Sequence, residues 1–155
     1  MDLDSIDHKL LRELQRDSKQ TNKELAEKLN LSVTAIFERI RKLERNGVVK
    51  GYMALVDPRK LDLPLTVFCH IKLAGHSKEY LTKFERQVVG LEEVLECFHV
   101  SGAYDYLIRI AVRDMEHFRN FMVTKLTTLE HIGSTQSSFT IQVLKDSRII
   151  PTQSI

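Results

Sequence analysis

The chain has 155 residues, of which 43% are hydrophobic, enough to build a globular core in one domain or two small ones. No apolar run approaches the roughly 20 residues that cross a bilayer, and the acidic start MDLDSIDHKLL is unlike a secretory signal, so we expect a cytoplasmic protein without a membrane partner. The net charge of +2 is concentrated in residues 36–50, which carry five basic and two acidic side chains and form a local footprint for a polyanion.

Cap signals predict three helices in the first fifty residues. Asp4 precedes a run with apolar side chains at four-residue steps, which predicts an amphipathic helix. Thr21 opens a capping box, TNKE, for a short second helix. Asn30 can end this helix in the left-handed conformation, and Ser32 caps a third helix almost at once. Two helices joined by so tight a turn are typical of a helix-turn-helix motif.

The third helix has the composition of a helix that reads DNA. When Ile36, Ile40 and Leu43 face the core, the opposite face has small residues near its start and basic residues further along. Small side chains allow a close approach to base edges, and Arg or Lys can reach phosphates. The alternative is an ordinary three-helix domain with a charged face, since Glu38 and Glu44 partly offset the basic residues. We predict contacts to double-stranded DNA from Ser32, Thr34, Phe37, Glu38, Arg39, Arg41, Lys42 and Arg45.

The composition changes after the third helix. Asn46 and Gly47 predict its end, and VVKGYMALVD is expected to follow as a wing or linking strand. Pro58 and Pro64 bracket the predicted domain boundary. We predict a helix-turn-helix domain over 1–50, a hinge strand or linker over 51–64, a second domain over 65–146 and a tail over 147–155.

The second half alternates between strand and helix periods. Helices are predicted after the caps Ser77 and Asp114, and the resulting order is βαββαβ. Two right-handed crossovers in this order produce an antiparallel four-stranded sheet with both helices on one face. The predicted fold class is therefore α+β, an N-terminal winged helix-turn-helix domain followed by a ferredoxin-like domain. The predicted strands are 65–73, 93–100, 106–112 and 134–144.

The sheet face without helices is expected to be apolar as well. Strict alternation places Val94, Phe98 and Val100 on one side of the second strand, with Leu95 and Cys97 on the other. An apolar uncovered face predicts contact with another protein surface, most simply a second copy in a two-fold dimer. Such a dimer would present two reading helices to successive major-groove segments, roughly 34 Å apart.

Four stretches in order resemble one known family, the leucine-responsive/AsnC (Lrp/AsnC, feast/famine) transcriptional regulators. They are LDSIDHKLLRELQRDSKQTNKELAEKLNLS, TAIFERIRKLERNGVVKGY, VSGAYDYLIRIAV and a last strand rich in hydroxyl residues, and the resemblance covers residues 2–146. It implies a DNA-binding domain joined by a hinge strand to an amino-acid-binding domain, in dimers that commonly assemble to octamers. No cofactor is expected beyond the amino acid effector.

The same resemblance implies where the effector binds. Its residues would lie on the turn that opens the third strand and on the last strand. A free amino acid also fits this chemistry, because its ammonium requires a carboxylate such as Asp105 and its carboxylate requires exposed backbone N–H groups. The alternative is a hairpin turn in which Asp105 bonds its own backbone. The predicted effector residues are Gly102, Tyr104 and Asp105 on the turn, with Thr135, Gln136 and Ser137 on the strand.

Two other functions remain open from the sequence. Proteins with this domain plan also resemble sirohaem-type tetrapyrrole decarboxylases, for which His70, His99 and Arg109 could line a sheet-face pocket. A ligand-sensing module without DNA binding is the other. We expect no enzyme, because the sequence shows no nucleophile–base pair, no phosphate loop and no metal motif, and its two cysteines lack metal-ligand spacing.

Overall fold

The computed structural model describes residues 2–152 and divides the chain into two compact units. The first unit comprises the residues up to 55 together with those from 145 onward, and the second unit spans 56–144. The division at 55/56 falls inside the segment predicted as the hinge. None of the helices in the described range is long and apolar enough to cross a membrane.

The first unit contains the three predicted helices, and the predicted caps are confirmed. The side chains of Asp4, Thr21 and Ser32 each accept a backbone N–H at the start of a helix, and the first two complete capping boxes. Asn30 ends the second helix with φ at +54°. The apolar stripes of the three helices meet in one buried cluster. The helices are α1 (Ser5–Arg16), α2 (Asn22–Leu29) and α3 (Val33–Arg45).

An ion pair fastens α3 to the start of α1. The Arg39 guanidinium donates to Asp7 Oδ1 at 2.6 Å and to Asp4 Oδ2 at 2.8 Å. Asp7 is buried, and its second oxygen accepts the Asp4 backbone N–H. One arginine thus satisfies the carboxylates that form the α1 cap.

The C-terminal segment contacts α1 through a reciprocal amide pair. Gln15 Nε2 donates to the Ile150 carbonyl at 3.0 Å, and the Ile150 N–H donates to Gln15 Oε1 at 2.7 Å. A side-chain amide offers one donor and one acceptor, so it can pair with a backbone as a strand would. Residues 145–152 therefore belong with the helices of the first unit.

The wing or hinge strand expected in VVKGYMALVD is not observed. Residues 51–57 have no strand partner within the described range, and Pro58–Leu61 form a short 3-10 helix. A strand needs a neighbouring backbone to pair with, and no other part of residues 2–152 supplies one for this segment. Its side chains are exposed, including Met53, Leu55 and Val56.

The second unit is the predicted antiparallel sheet with two helices on one face. The sheet order is β2-β3-β1-β4, so β2 and β4 are its edges. Side chains from alternate positions of β1 and β3 pack against both helices in a second buried cluster. We call the opposite side, which carries Phe68, His70, Leu107 and Arg109, the open face. The elements are β1 (Leu65–Leu73), α4 (Lys78–Val88), β2 (Val94–His99), β3 (Tyr106–Val112), α5 (Met115–Thr124) and β4 (Ile132–Phe139), with a 3-10 turn at Leu126–Thr128.

Two strand predictions need correction. The last strand ends at Phe139 rather than 144, because β1 begins at Leu65 and the Thr140 N–H makes the last bond to it, at Thr66. In β2, a bulge between Val94 and Glu96 shifts the alternation by one residue. Val94 and Cys97 consequently pack together on the core, although strict alternation placed them on opposite sides.

We predict that Arg39→Ala lowers the free energy of unfolding of the first unit by about 1–3 kcal/mol, because it leaves the buried Asp7 carboxylate without its cation. Lys42→Ala, a change at an exposed position of the same helix, should stay within about 0.5 kcal/mol. Urea unfolding followed by far-UV circular dichroism measures both. Equal losses in the two variants would contradict the structural role of Arg39.

Candidate functional site

The outer face of α3 is the first candidate site. Ile36 and Leu43 are buried, as predicted, while Thr34, Arg41 and Arg45 are exposed on the other side. The Ser32 hydroxyl accepts the Ala35 N–H at 3.1 Å, so its first role is to cap the helix. The start of α3 therefore presents small side chains and free backbone N–H groups to solvent, an arrangement suited to phosphate or base contacts.

Three cations on this face are available to a polyanion. None of the salt bridges found among residues 2–152 involves Arg41, Lys42 or Arg45. The Arg41 guanidinium lies 5.2 Å from the Phe37 ring, a cation–π contact that orients it without neutralising it. Glu38 and Glu44 line the same shallow groove as Arg41 and Arg45, and Glu44 accepts the Tyr52 hydroxyl.

Arg39 differs from the other predicted DNA-contacting residues. Its guanidinium is taken up by Asp4 and Asp7, as described above, and its side chain is 26% exposed. A cation held by two carboxylates has little charge left for a phosphate. The structure thus separates Arg39, a half-buried residue paired with the start of α1, from the exposed Arg41, Lys42 and Arg45.

The second candidate site is the turn that precedes β3. Gly102 has φ at +134°, a backbone conformation that favours glycine. The Tyr104 hydroxyl bonds Gln136 on β4, and the Tyr104 ring lies 5.0 Å from the ring of His70. The open face thus brings together two of the predicted effector residues, Tyr104 and Gln136, with a histidine that the prediction did not include.

Asp105 is held by the strand beside it. Its Oδ2 accepts the Leu73 backbone N–H at 2.7 Å, and its Oδ1 accepts His76 Nε2 at 2.7 Å. The Leu73 N–H, followed by His76, lowers the pKa of the Asp105 carboxyl below its usual value. The hairpin-turn alternative, in which Asp105 bonds its own backbone, is not what is observed, because both partners lie on β1 or just after it.

The three predicted residues of β4 do not share a face. Gln136 pairs with His70 on the open face, whereas Thr135 pairs with Ile71 and Ser137 with Cys69, both core residues. The Ser137 hydroxyl lies 3.6 Å from Cys69 Sγ, and burial raises the pKa of that thiol. Alternate residues of a strand point to opposite sides, so this separation follows from the register.

The sequence analysis missed the two groups that hold Asp105. The Leu73 N–H leaves no mark in a sequence, and His76 lies in a loop 29 residues before its partner. One signal was available. In antiparallel neighbours the end of one strand lies beside the start of the other, so the residues after β1 had to approach the turn before β3.

The trio considered for tetrapyrrole binding is not brought together. His70 and Arg109 lie on the open face, where Arg109 Nε donates to Glu96 at 2.6 Å. His99 pairs with Tyr106 and stacks on its ring, with centroids 4.6 Å apart, on the helix-covered side. These positions provide no shared pocket for carboxylate recognition.

A helix-turn-helix with a cationic outer helix, followed by a separate unit built on an antiparallel sheet, is the arrangement of a two-domain DNA-binding regulator. Comparisons agree with this class. A model described as winged helix-turn-helix DNA-binding matches residues 3–50, and the Lrp/AsnC ligand binding domain matches residues 66–150. The chain belongs to the Lrp/AsnC family of transcriptional regulators.

Named relatives extend the comparison over nearly the whole chain. The chain is 38% identical to the leucine-responsive regulatory protein of Haemophilus influenzae, over 96% of this chain and 89% of the relative. It is 39% identical to the leucine-responsive regulatory protein of Escherichia coli, over 94% and 89%. A transcriptional regulator from Neisseria meningitidis, solved as a complex with L-methionine, has a TM-score of 0.92 at 33% identity and covers 97% of both chains.

We predict that Asp105→Ala lowers the free energy of unfolding of the second unit by about 1–3 kcal/mol at pH 7, because the buried Leu73 N–H loses its acceptor. Asp105→Asn should lose less, since its amide oxygen can still accept that bond.

The pH dependence of the free energy of unfolding tests whether the ionised Asp105 carboxylate is the stabilising form. The folded-state pKa of Asp105 is lowered, so the stabilisation is present above the usual carboxyl value of about 4 and is lost as the pH falls below it. The difference between wild type and Asp105→Ala in urea unfolding should therefore shrink from pH 5 to pH 3. A difference that is the same at both pH values would contradict the assignment.

Proposed function

We propose that α3 binds DNA through the exposed residues of its outer face and that a small amino acid such as leucine or methionine, bound near the turn Gly102–Asp105, controls DNA binding or assembly. The observation that supports DNA binding most strongly is that the basic residues of α3 differ in their partners. Arg39 is paired with two carboxylates at the start of α1, while Arg41, Lys42 and Arg45 are exposed and have no carboxylate partner in the part of the chain that the structure describes.

The DNA contacts divide by chemistry. Arg41, Lys42 and Arg45 would contact phosphates, which supply most of the affinity and all of its salt dependence. Ser32 and Thr34 lie where the helix start can approach base edges, and Phe37 is 42% exposed and able to contact a thymine methyl. Glu38 could accept from a cytosine amino group. Arg39 enters this proposal only as the residue that positions α3.

The effector proposal rests on Asp105 and the groups around it. Asp105 Oδ1 would receive the ammonium, and the backbone around Gly102 would receive the carboxylate. Tyr104 and Gln136 would border the side chain on the open face. Thr135 and Ser137 stay predictions, and they can take part only from the other side of the edge strand β4.

Leucine and methionine are favoured by chemistry and by the comparisons. The relatives are named leucine-responsive, and the Neisseria meningitidis regulator was solved with L-methionine. Both amino acids are apolar apart from the zwitterion, so they suit a site with one carboxylate and an otherwise uncharged turn.

We also propose that the chain forms dimers, and octamers from them. Phe98 lies on the open face and is 49% exposed, and the apolar residues of 52–56 are exposed on an unpaired backbone. Contact with a second copy of the chain is the simplest way to bury both surfaces. A two-fold dimer would also present two α3 helices to successive segments of the major groove. Light scattering coupled to gel filtration measures the assembly size.

We predict that Arg41→Ala and Arg45→Ala each weaken binding to a duplex from the region upstream of the chain's own gene, and that each lowers the slope of log K against log salt by about 1. Arg119→Ala, which removes the same charge from the exposed side of α5, serves as the matched control. Fluorescence anisotropy at several salt concentrations measures the slopes. A wild-type chain without DNA binding would favour the ligand-sensing module instead.

We predict that L-methionine or L-leucine raises the melting temperature of the chain, because a ligand that binds only the folded state stabilises it by mass action. The corresponding 2-oxo acids, which lack the ammonium, should give no shift. Asp105→Asn should abolish the shift, and Asp146→Asn, at an exposed position, should retain it. A shift that survives in Asp105→Asn would exclude Asp105 as the ammonium partner.

A further inference from the structure

The corner between β1 and α4 is fixed by its packing. The Ala74 N–H donates to the His131 carbonyl at 2.8 Å. Gly75 lies under the Tyr80 ring, where an added Cβ would meet a ring carbon at 3.2 Å, and Tyr80 stacks on His131 with centroids 3.6 Å apart. The backbone that carries His76 is therefore held on two sides.

The two oxygens of Asp105 are held unequally. Oδ2 is bound by a buried backbone N–H, which cannot leave without breaking the end of β1. Oδ1 is bound by His76, whose side chain is 63% exposed and makes one contact. The Asp105 side chain is 14% exposed, so Oδ1 is the oxygen that a ligand can reach. His76 occupies the place that the effector ammonium requires.

We propose that His76 competes with the effector ammonium for Asp105 Oδ1, so that amino acid binding displaces the imidazole and becomes weaker in acid. This inference rests on the proposed effector site at Asp105. It makes His76 a positioning residue that sets the affinity of the site, and it links the amino acid response to pH.

The charges around Asp105 give the sign of the effect. Lys72 on β1 is close enough for its positive charge to act on the carboxylate. The carboxylate remains ionised above about pH 4, because its pKa is lowered by the Leu73 N–H and by His76. His131 is the other histidine of this corner, and its ring is engaged by Tyr80. His76 is the histidine that contacts Oδ1, and histidine is the side chain whose charge ordinarily changes near neutral pH.

Protonation of His76 strengthens its contact with Asp105 Oδ1. Imidazolium and carboxylate form an ion pair, while neutral imidazole makes only one hydrogen bond, so the ammonium displaces the neutral form more easily. When the ammonium displaces it, the imidazolium loses its carboxylate partner and holds its proton less tightly, so binding in acid is accompanied by partial release of a proton to solvent. Amino acid binding is therefore expected to weaken several-fold as the pH falls through the range in which histidine side chains gain a proton.

Isothermal titration of the full chain with L-methionine and with L-leucine, from pH 5.5 to 7.5, tests the proposal. Wild type should bind several-fold more weakly at pH 5.5 than at pH 7.5, whereas His76→Gln should bind with an affinity that does not change with pH. The matched control is His131→Asn, which removes the other histidine of the corner and suits its φ of +70°. It should keep the wild-type pH profile.

The possible results distinguish a failure of the His76 competition from a failure of the effector site itself. A flat wild-type profile, or a slope that persists in His76→Gln, overturns the competition while leaving the effector site intact. Absence of binding by either amino acid, in wild type and in His76→Gln at every pH, overturns the effector site itself. Titrations in buffers of different ionisation enthalpy should also show proton release at pH 6.5 in wild type only.

Discussion

The bond from the Leu73 N–H to the Asp105 carboxylate joins the end of β1 to the start of β3, and the turn that we propose as the effector site depends on it. Asp105 also donates its backbone N–H to the Ile71 carbonyl, and its own carbonyl accepts the Val100 N–H. Asp105 is thus fixed through backbone and side chain before any ligand arrives. A carboxylate held in this way is pre-organised for an ammonium, because little conformational entropy remains to be lost on binding.

Burial and ion pairing divide the basic residues of α3 into two groups. Asp7 and Arg39 neutralise each other within the first unit, and their removal is expected to affect folding. Arg41, Lys42 and Arg45 lie two, three and six residues further along the same helix, less than two turns away. They are exposed and form no salt bridge within residues 2–152. The same residue type therefore serves the fold at one position of α3 and is free for DNA at others. Composition alone counts these residues together, and only their partners distinguish them.

Local signals predicted most of the fold, and long-range contacts account for what they missed. The caps at Asp4, Thr21 and Ser32 are short-range features, and they were confirmed. The length of β4 depends on where β1 begins, and the faces of β2 depend on a bulge, so neither follows from alternation alone. The predicted effector residues came from the family resemblance, which identifies positions in the sequence but not the sheet face on which each side chain lies. The His76 contact crosses 29 residues and required the sheet register.

A crystal structure of the chain grown with L-methionine would test the central claim most directly, because it locates both partners of Asp105. We expect the ammonium within hydrogen-bond distance of Oδ1, the Leu73 N–H still on Oδ2, and the His76 ring turned away into solvent. Methionine bound elsewhere, or bound at the turn with the His76–Asp105 contact intact, would contradict the claim that this carboxylate is both the anchor of the turn and the receptor of the ligand.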